Sequence, residues 1–170
     1  TGGFLHDREL VGHHLPGRVF GGCSVPTTAG DFVRIGQSVG ASFSHMKNAW
    51  WKQVLVEQAL TVPDASGSFL PFGDSMIQVN RYGRRIVNEK SPYNERSQVH
   101  LHWNPSEREY SNLLMFMIWD EAVAQNPLAW PFRPPVPMPG EQSPWVISGD
   151  DWPSLAAAIE QRLEKIAGET

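Results

Sequence analysis

Seven prolines between positions 127 and 144 limit the possible folds of this 170-residue chain more than any other feature. Proline lacks a backbone N–H, and its ring blocks the preceding turn of a helix. A segment this rich in proline can therefore form neither a helix nor a central strand, and it predicts an extended wrap or linker. The seven prolines are Pro127, Pro131, Pro134, Pro135, Pro137, Pro139 and Pro144.

A first helix is predicted from about residue 31 to residue 44, because apolar residues recur there at helical spacing and Asp31 can cap its first turn. Gly36 and Gly40 would lie four residues apart on it. Each costs about 1 kcal/mol relative to Ala, so we expect another backbone to pack closely against them. The face expected to be buried carries Phe32, Ile35, Val39 and Phe43. The preceding residues 12 to 30 are dense in Gly, Pro, Ser and Thr and predict an irregular connection.

The middle of the chain predicts a small sheet. Residues 76–80 and 85–88 are β-prone segments on either side of a turn, in which Asn80 suits the first position and Gly83 suits a positive φ. Residues 113–119 are apolar without alternation, which favours a strand buried on both faces that joins this hairpin.

A last helix is expected to begin at Asp150 or Asp151 and to end at Gly168. Its apolar face carries Leu155, Ile159, Leu163 and Ile166. Together these elements predict an α+β fold in which helices pack on a small sheet with a hairpin.

Composition excludes several classes of function. The chain has 14 basic and 18 acidic residues and a net charge of −4, which disfavours nucleic-acid binding. The apolar run 113–119 is too short for a membrane span, and the lone Cys23 fits a reducing compartment, so a cytoplasmic location is expected. Two histidine pairs, His13-His14 and His100 with His102, have no carboxylate or cysteine beside them to complete a metal coordination shell, so no metal site is predicted.

A composite stretch carries the strongest functional signal. Residues 77–89 read I-Q-V-N-R-Y-G-R-R-I-V-N-E and are followed by Ser91-Pro92-Tyr93. This stretch resembles the V-N-x-x-G-x-R-F-x-N-E segment of the flavoprotein superfamily that contains fumarate reductases and 3-ketosteroid dehydrogenases, with Ile86 in place of the usual Phe.

Further motifs agree with that family in their order along the chain. Those similar to family segments are Thr1-Gly2-Gly3-Phe4 (A-T-G-G-F), Gly30-Asp31 (N-T-G-D-G), Gly40-Ala41 (a G-A helix end), Ala49-Trp50-Trp51 (A-W-W), and Trp145-Val146-Ile147 before Leu155-Ala156 (A-D-T-x-x-x-L-A). The chain departs from the family at Phe32, where a second Gly is usual, at Ala29, where Thr is frequent, and at Gln53, where a Pro commonly follows the tryptophans.

The resemblance implies a domain organisation. The dinucleotide fingerprint G-x-G-x-x-G is absent from this sequence, and its opening residues lack an initiating Met and the polar character of an ordinary free end. We therefore expect a piece of a two-domain flavoprotein. Residues 1–30 would be the tail of the FAD-binding domain and a hinge, and residues 31–170 the capping, substrate-binding domain. The FAD-binding domain of the same parent chain is the expected partner, and these 170 residues alone are expected to be inactive.

The resemblance also implies site residues. Tyr93 stands four residues after Glu89, where fumarate reductases place an arginine proton donor, and a tyrosine there is typical of the ketosteroid-dehydrogenase branch. It is the candidate for proton transfer, with a purely structural aromatic as the alternative. The residues implied to contact FAD are Thr1, Gly2, Gly3 and Asp31, and those implied to line a flat hydrophobic substrate are Trp50, Trp51 and Trp103. Arg96 is the alternative proton donor, whereas Arg84, Arg85, Asn88 and Glu89 are expected to be mainly structural.

The function implied by the resemblance is that of an FAD-dependent oxidoreductase that dehydrogenates, or reduces, a C–C bond next to a carbonyl. A 3-ketosteroid-like hydrophobic substrate is favoured. The alternatives are a fumarate-reductase-like enoate reductase and a non-catalytic domain that binds a ligand or a protein.

Overall fold

The computed structural model describes residues 2–17, 19–20, 24–61, 75–125, 137 and 141–167. Within these ranges the chain forms six α-helices and two small antiparallel sheets, which confirms the predicted α+β class. The helices are α1 Arg8–His14, α2 Asp31–Ser38, α3 Val56–Thr61, α4 Tyr93–Ser97, α5 Glu121–Gln125 and α6 Trp152–Ala167. The strands are β1 Ile77–Asn80, β2 Trp103–Asn104, β3 Glu109–Tyr110 and β4 Met115–Ile118. Predictions for Thr1, Cys23, Gly168 and five of the seven prolines fall outside the described residues.

Helix α1 was missed by the sequence analysis, which predicted an irregular connection from residue 12. The Asp7 carboxylate caps this helix by accepting hydrogen bonds from the backbone N–H groups of Glu9 and Leu10, both at 3.0 Å. The helix ends at His14, and Leu15, which precedes a proline, is extended. The cap offsets the cost of Gly12 within the helix, since each is about 1 kcal/mol.

Helix α2 is shorter than predicted, ending at Ser38 instead of residue 44. Gly40 lies outside the helix with a φ of 72°. Its backbone N–H donates to the carbonyl oxygen of Gln37 at 3.1 Å, and the N–H of Ala41 donates to the carbonyl oxygen of Gly36 at 2.9 Å. This pattern is a Schellman motif, in which a left-handed glycine satisfies the last helical carbonyls. Gly40 is therefore a stop signal and not a helical packing position.

The start of α2 also corrects the sequence analysis. Gly30, with a φ of 74°, occupies the N-cap, and Asp31 is the first helical residue. In the part of the chain that the structure describes, no side chain caps this end of α2. The glycine reaches the left-handed conformation that starts the helix without the steric cost that a side chain would carry.

The predicted buried face of α2 is only partly correct, because Phe32 and Phe43 are half-buried and the other two residues are exposed. Ile35 is 66% exposed and Val39 is 75% exposed, whereas Val33 is buried. The ring of Phe43 packs against Gly36, so a side chain occupies the space where another backbone was expected. The chain turns at Gly40 and brings Phe43 back onto the helix, which periodicity alone could not indicate.

A pair of glycine variants tests this account of α2. Gly30→Ala is expected to lower the free energy of unfolding by about 2 kcal/mol or more, because left-handed φ costs a non-glycine residue roughly 1–2 kcal/mol and a crowded site adds to it. Its Cβ would lie 2.5 Å from Leu10 Cδ1 and 3.0 Å from Phe4 Cβ. Gly40→Ala has a similar φ but would meet no described atom within 4 Å, so strain alone remains. Urea unfolding of both variants checks the difference, and equal losses would refute it.

Strands β1 and β4 pair antiparallel, with Ile77 opposite Ile118 and Asn80 opposite Met115. The prediction that residues 113–119 join the hairpin in a sheet is thus confirmed, and the strand pairs with the first arm. All four residues of β4 are half-buried, so the prediction of burial on both faces is wrong. A two-stranded sheet leaves too much of each strand uncovered for full burial.

The predicted hairpin is formed only at its turn. Gly83 has the expected positive φ, at 69°. Its backbone N–H donates to the carbonyl oxygen of Asn80 at 2.9 Å and closes the turn. The arm 85–88 forms a single bridge, between Arg85 and Val79, in place of a strand. The physical reason lies in Glu89, whose carboxylate accepts the backbone N–H of Gln78 at 2.7 Å and so takes the donor that a continuing strand would need.

The turn is also tied to the second sheet, in which β2 pairs with β3. Tyr82 Oη donates to Glu109 Oε1 at 2.5 Å, and Arg81 Nη1 donates to Glu109 Oε2 at 2.8 Å. The hydrogen bond with Glu109 raises the pKa of Tyr82. These contacts connect the two small sheets through one carboxylate.

Helix α6 begins as predicted after Asp151, whose Oδ1 accepts the N–H of Ser154 at 2.9 Å. On its apolar face Ile166 is buried, and Leu155, Ile159 and Leu163 are half-buried. Among the described residues, no helix has both the length and the hydropathy that crossing a membrane requires.

Candidate functional site

The stretch 77–89 contributes to a buried polar cluster, made up of Gln53, Gln78, Asn80, Glu89, Arg96, His100 and Asn112. Buried polar groups are costly unless they are hydrogen-bonded, so their bonds determine what this cluster can do.

Glu89 is 4% exposed and lies at the centre of this cluster. Its carboxylate accepts from Arg85 Nη2 at 2.6 Å and Nε at 3.0 Å, and from the backbone N–H of Gln78. Burial acts to raise the pKa of Glu89, but the hydrogen bonds from Arg85 and Gln78 outweigh it and hold that pKa below its ordinary value. The carboxylate is ionised and fully engaged, which favours the structural role predicted for Arg85 and Glu89.

Arg96 is 2% exposed, and its Nη1 donates to the main-chain oxygen of Glu89 at 2.9 Å. Burial lowers the pKa of Arg96, and the negative charge of Glu89 partly offsets this effect. The guanidinium thus holds the chain after the N-E motif against helix α4. This placement disfavours Arg96 as the alternative proton donor.

Two glutamines and a histidine extend the cluster across the fold. The amides of Gln53 and Gln78 bond each other reciprocally, at 2.7 and 3.2 Å. Gln53 Nε2 lies 2.8 Å from His100 Nε2, and His100 Nδ1 lies 2.6 Å from Asn112 O. Since a carbonyl can only accept, Nδ1 carries the proton and Nε2 accepts from Gln53. Burial lowers the pKa of His100 and keeps it neutral.

The hydrogen bonds of Asn80 account for an asparagine at this position of the motif. Its Oδ1 accepts from the backbone N–H groups of Tyr82 and Arg84, at 3.0 and 3.1 Å, and its Nδ2 donates to Asn112 Oδ1 at 3.0 Å. The side chain therefore closes the turn and joins it to the segment before β4.

Two of the predicted site residues lie together at the surface. Tyr93 begins helix α4 and is 37% exposed, and its ring meets the Trp50 indole edge-to-face with centroids 6.4 Å apart. Trp50 is 84% exposed. Trp51 is half-buried, and its backbone N–H donates to Asn94 Oδ1 at 2.9 Å. An exposed aromatic pair presents flat apolar surface to a ligand, with the phenol oxygen of Tyr93 as a polar group.

The glycine segments implied to meet FAD also lie side by side. The N–H of Gly30 bonds Gly3 O at 3.0 Å. Gly2 and Gly3 are exposed, and a Cβ at Gly3 would meet no described atom within 4 Å. Asp31 has a side chain that is 78% exposed. Thr1 lies outside the described residues.

Trp103 packs against Tyr110 with ring centroids 5.0 Å apart. A cleft of about 550 Å³ lies between residues 146–148 and helix α6, and none of the predicted site residues lines it. Within the described ranges, no group of three or more His, Cys, Asp or Glu side chains could hold a metal ion.

Three polar residues that hold the motif and its aromatic neighbours were not predicted from the sequence. Gln53 was noted only as a departure from the proline usual after the tryptophans, and Asn112 and Asn94 gave no signal at all. Their long-range partners lie between 12 and 47 residues away in sequence, beyond the reach of local pattern.

No protein-family model matches the chain. It is similar to 4-oxocyclohexanecarboxylate 2-dehydrogenase of Sinomonas cyclohexanicum, with 30% identity over 169 residues. The match covers 98% of this chain but only 29% of the relative's length. The chain is thus similar, over nearly its whole length, to part of a larger dehydrogenase. This finding supports the predicted oxidoreductase class at that coarse level.

Proposed function

We propose that these residues form the substrate-binding, capping part of an FAD-dependent dehydrogenase that introduces a double bond next to the carbonyl of a hydrophobic cyclic ketone. The observation that carries the proposal is the exposed Trp50–Tyr93 pair, which offers a flat apolar surface and one polar oxygen. The similarity to a dehydrogenase of an oxo-cyclohexane ring supports the same reaction class.

The residues implied to hold FAD are compatible with that role. Gly2 and Gly3 expose backbone without side chains, so a ligand can approach closely, and the exposed Asp31 carboxylate can accept from a hydroxyl group. Gly30, which opens helix α2, is hydrogen-bonded to Gly3. When bound, FAD would accept a hydride from the substrate.

Tyr93, acting as the tyrosinate, would take up the accompanying proton at its Oη. A hydrogen on the carbon beside a carbonyl is acidified because the carbonyl stabilises the negative charge that develops. The side chain that takes this proton must lie within hydrogen-bond distance of the carbon that carries it. Tyr93 begins a helix and is 37% exposed at the surface. Trp50, packed at its edge, would hold the substrate ring beside it.

The substrate would be a ring ketone rather than an open-chain dicarboxylate. The relative's name gives a dehydrogenation at position 2 of a cyclohexane ring that carries an oxo group at position 4. A six-membered carbon ring presents an apolar face of C–H bonds that can pack on an indole face. Tyr93 stands where fumarate reductases carry their arginine donor, and the nearby Arg96 is buried on a main-chain oxygen, so enoate reduction of that kind is disfavoured. A 3-ketosteroid-like substrate remains within the proposed class.

The intact protein tests this proposal in one anaerobic titration. We expect it to carry FAD and the flavin absorbance to bleach on addition of a saturated cyclic ketone, with 4-oxocyclohexanecarboxylate and a 3-ketosteroid as the probes. Succinate, a saturated dicarboxylate without a ring ketone, is the control and should cause no bleaching. Protein without flavin, or with flavin that no ketone reduces, would favour a non-catalytic binding domain. Bleaching by succinate alone would favour the fumarate-reductase-like alternative.

A further inference from the structure

We infer that Asn94 is a positioning residue for the Tyr93 site: its side chain fixes the peptide that joins Trp50 to Trp51 and so sets the Trp50 indole against the Tyr93 ring. This inference rests on the proposed function, because it assigns to Asn94 the alignment of the substrate-binding wall.

The hydrogen bond that carries this inference joins residues 43 positions apart in sequence. Asn94 Oδ1 accepts the backbone N–H of Trp51 at 2.9 Å. That N–H belongs to a planar peptide unit that also contains the Cα of Trp50, so holding it restricts the direction in which the indole leaves the backbone. Because Asn94 follows Tyr93 directly in helix α4, one short segment carries both the phenol and the anchor for its aromatic partner.

A second anchor lies two residues beyond Trp51. The buried side chain of Gln53 bonds Gln78 on strand β1 and His100. The segment is therefore held to helix α4 at Trp51 and to the sheet at Gln53. Trp50 lies outside the stretch between these anchors and is 84% exposed, so packing restrains it weakly. The Asn94 bond is then the contact that decides where the indole sits.

Loss of the Asn94 hydrogen bond is expected to disturb the alignment of the substrate with Tyr93 and not only the stability of the fold. A substrate ring that rests on the indole is carried with it, and its acidic C–H bond must lie within hydrogen-bond reach of Tyr93 Oη. Loss of the Asn94 acceptor frees the peptide to rotate. The expected result is slower proton removal and weaker binding, while the buried polar cluster stays intact.

Three variants of the intact flavoprotein test the inference. Asn94→Ala removes the acceptor and is expected to lower kcat/KM for the cyclic ketone about tenfold, the effect of losing one hydrogen bond in the transition state. Gln98→Ala deletes an exposed amide from the helical turn that follows α4, and it should leave kcat/KM unchanged. Amide hydrogen exchange at Trp51 should accelerate in Asn94→Ala and remain slow in Asn94→Asp, which keeps an acceptor oxygen.

A double-mutant cycle separates positioning from general destabilisation. If Asn94 acts through the indole, Asn94→Ala should have little further effect on kcat/KM in a Trp50→Ala background. The same roughly tenfold loss in both backgrounds would overturn the inference and leave the proposed function intact, as would unchanged Trp51 exchange in Asn94→Ala. Failure of the unmodified protein to oxidise any ketone would instead overturn the proposed function, and this inference with it.

Discussion

Replacing Tyr93 with Phe is expected to slow reduction of the flavin by a cyclic ketone by roughly 10²- to 10⁴-fold in the intact enzyme, the usual contribution of a positioned acid or base. The substitution keeps the ring that meets Trp50 edge-to-face and deletes only the hydroxyl oxygen. FAD content and the melting temperature should therefore be unchanged. Stopped-flow measurement of flavin absorbance after mixing with the ketone gives this rate.

The control for this variant is Tyr110→Phe. Tyr110 also pairs edge-to-face with a tryptophan, Trp103, so the change removes the same atom from a similar pair. Its flavin reduction rate should equal that of the unmodified enzyme. A Tyr93→Phe enzyme that reduces flavin at the normal rate would leave Tyr93 as a structural aromatic.

Removal of the Glu89 carboxylate is expected to have the largest effect on stability. Glu89→Ala should lower the free energy of unfolding by about 2–4 kcal/mol, because it withdraws the charged acceptor of the buried Gln78 N–H and the buried partner of the Arg85 ion pair. For a domain of this size that corresponds to a fall in Tm of roughly 5–15 °C. Glu160→Ala, at an exposed position of helix α6, should change stability by less than about 0.5 kcal/mol. Thermal unfolding followed by circular dichroism checks both, and similar melting temperatures would contradict the role of Glu89.

The same carboxylate gives the stability a definite pH dependence. The pKa of Glu89 lies below its ordinary value of 4.5 in the folded protein, so the unfolded chain binds its proton more readily. The contribution of Glu89 is therefore complete above about pH 4.5 and is lost as the pH falls through the folded pKa. In Glu89→Gln this loss is absent, so the stability difference from the unmodified protein should shrink in acid. A constant difference from pH 7 to pH 3 would contradict this assignment.

Local signals predicted much of the scaffold. A turn with Asn80 first and Gly83 at positive φ needs only neighbouring residues, and the apolar strand before Trp119 follows from its own composition. Helix α6 was predicted for the same reason, since its cap at Asp151 and its apolar face lie within one segment.

Two elements were predicted with wrong boundaries, the end of helix α2 and the second arm of the hairpin. Gly40 was interpreted as a residue within helix α2, although a glycine followed by a small residue also satisfies a Schellman stop. The second arm of the hairpin failed because a side chain, that of Glu89, competes for the Gln78 N–H. Such competition depends on side-chain placement, which the β-propensity of residues 85–88 does not report.

The candidate site was also predicted only in part. The family resemblance identified Tyr93 and Trp50, and the fold brings their rings together. The groups that hold them, Asn94 and the buried Gln53, come from contacts across 43 and 25 or more residues. The roles of Gly2, Gly3 and Asp31 toward FAD, and the cytoplasmic location, stay predictions.

The proton that Tyr93 Oη is proposed to remove can be followed directly by deuterium exchange. With the flavin of the intact enzyme already reduced, a saturated cyclic ketone cannot be dehydrogenated, but the hydrogen beside its carbonyl can still be exchanged. In D₂O, NMR should show deuterium entering that position with the unmodified enzyme and at least about 10²-fold more slowly with Tyr93→Phe. Equal exchange rates for the two enzymes would contradict the assignment of proton transfer to Tyr93.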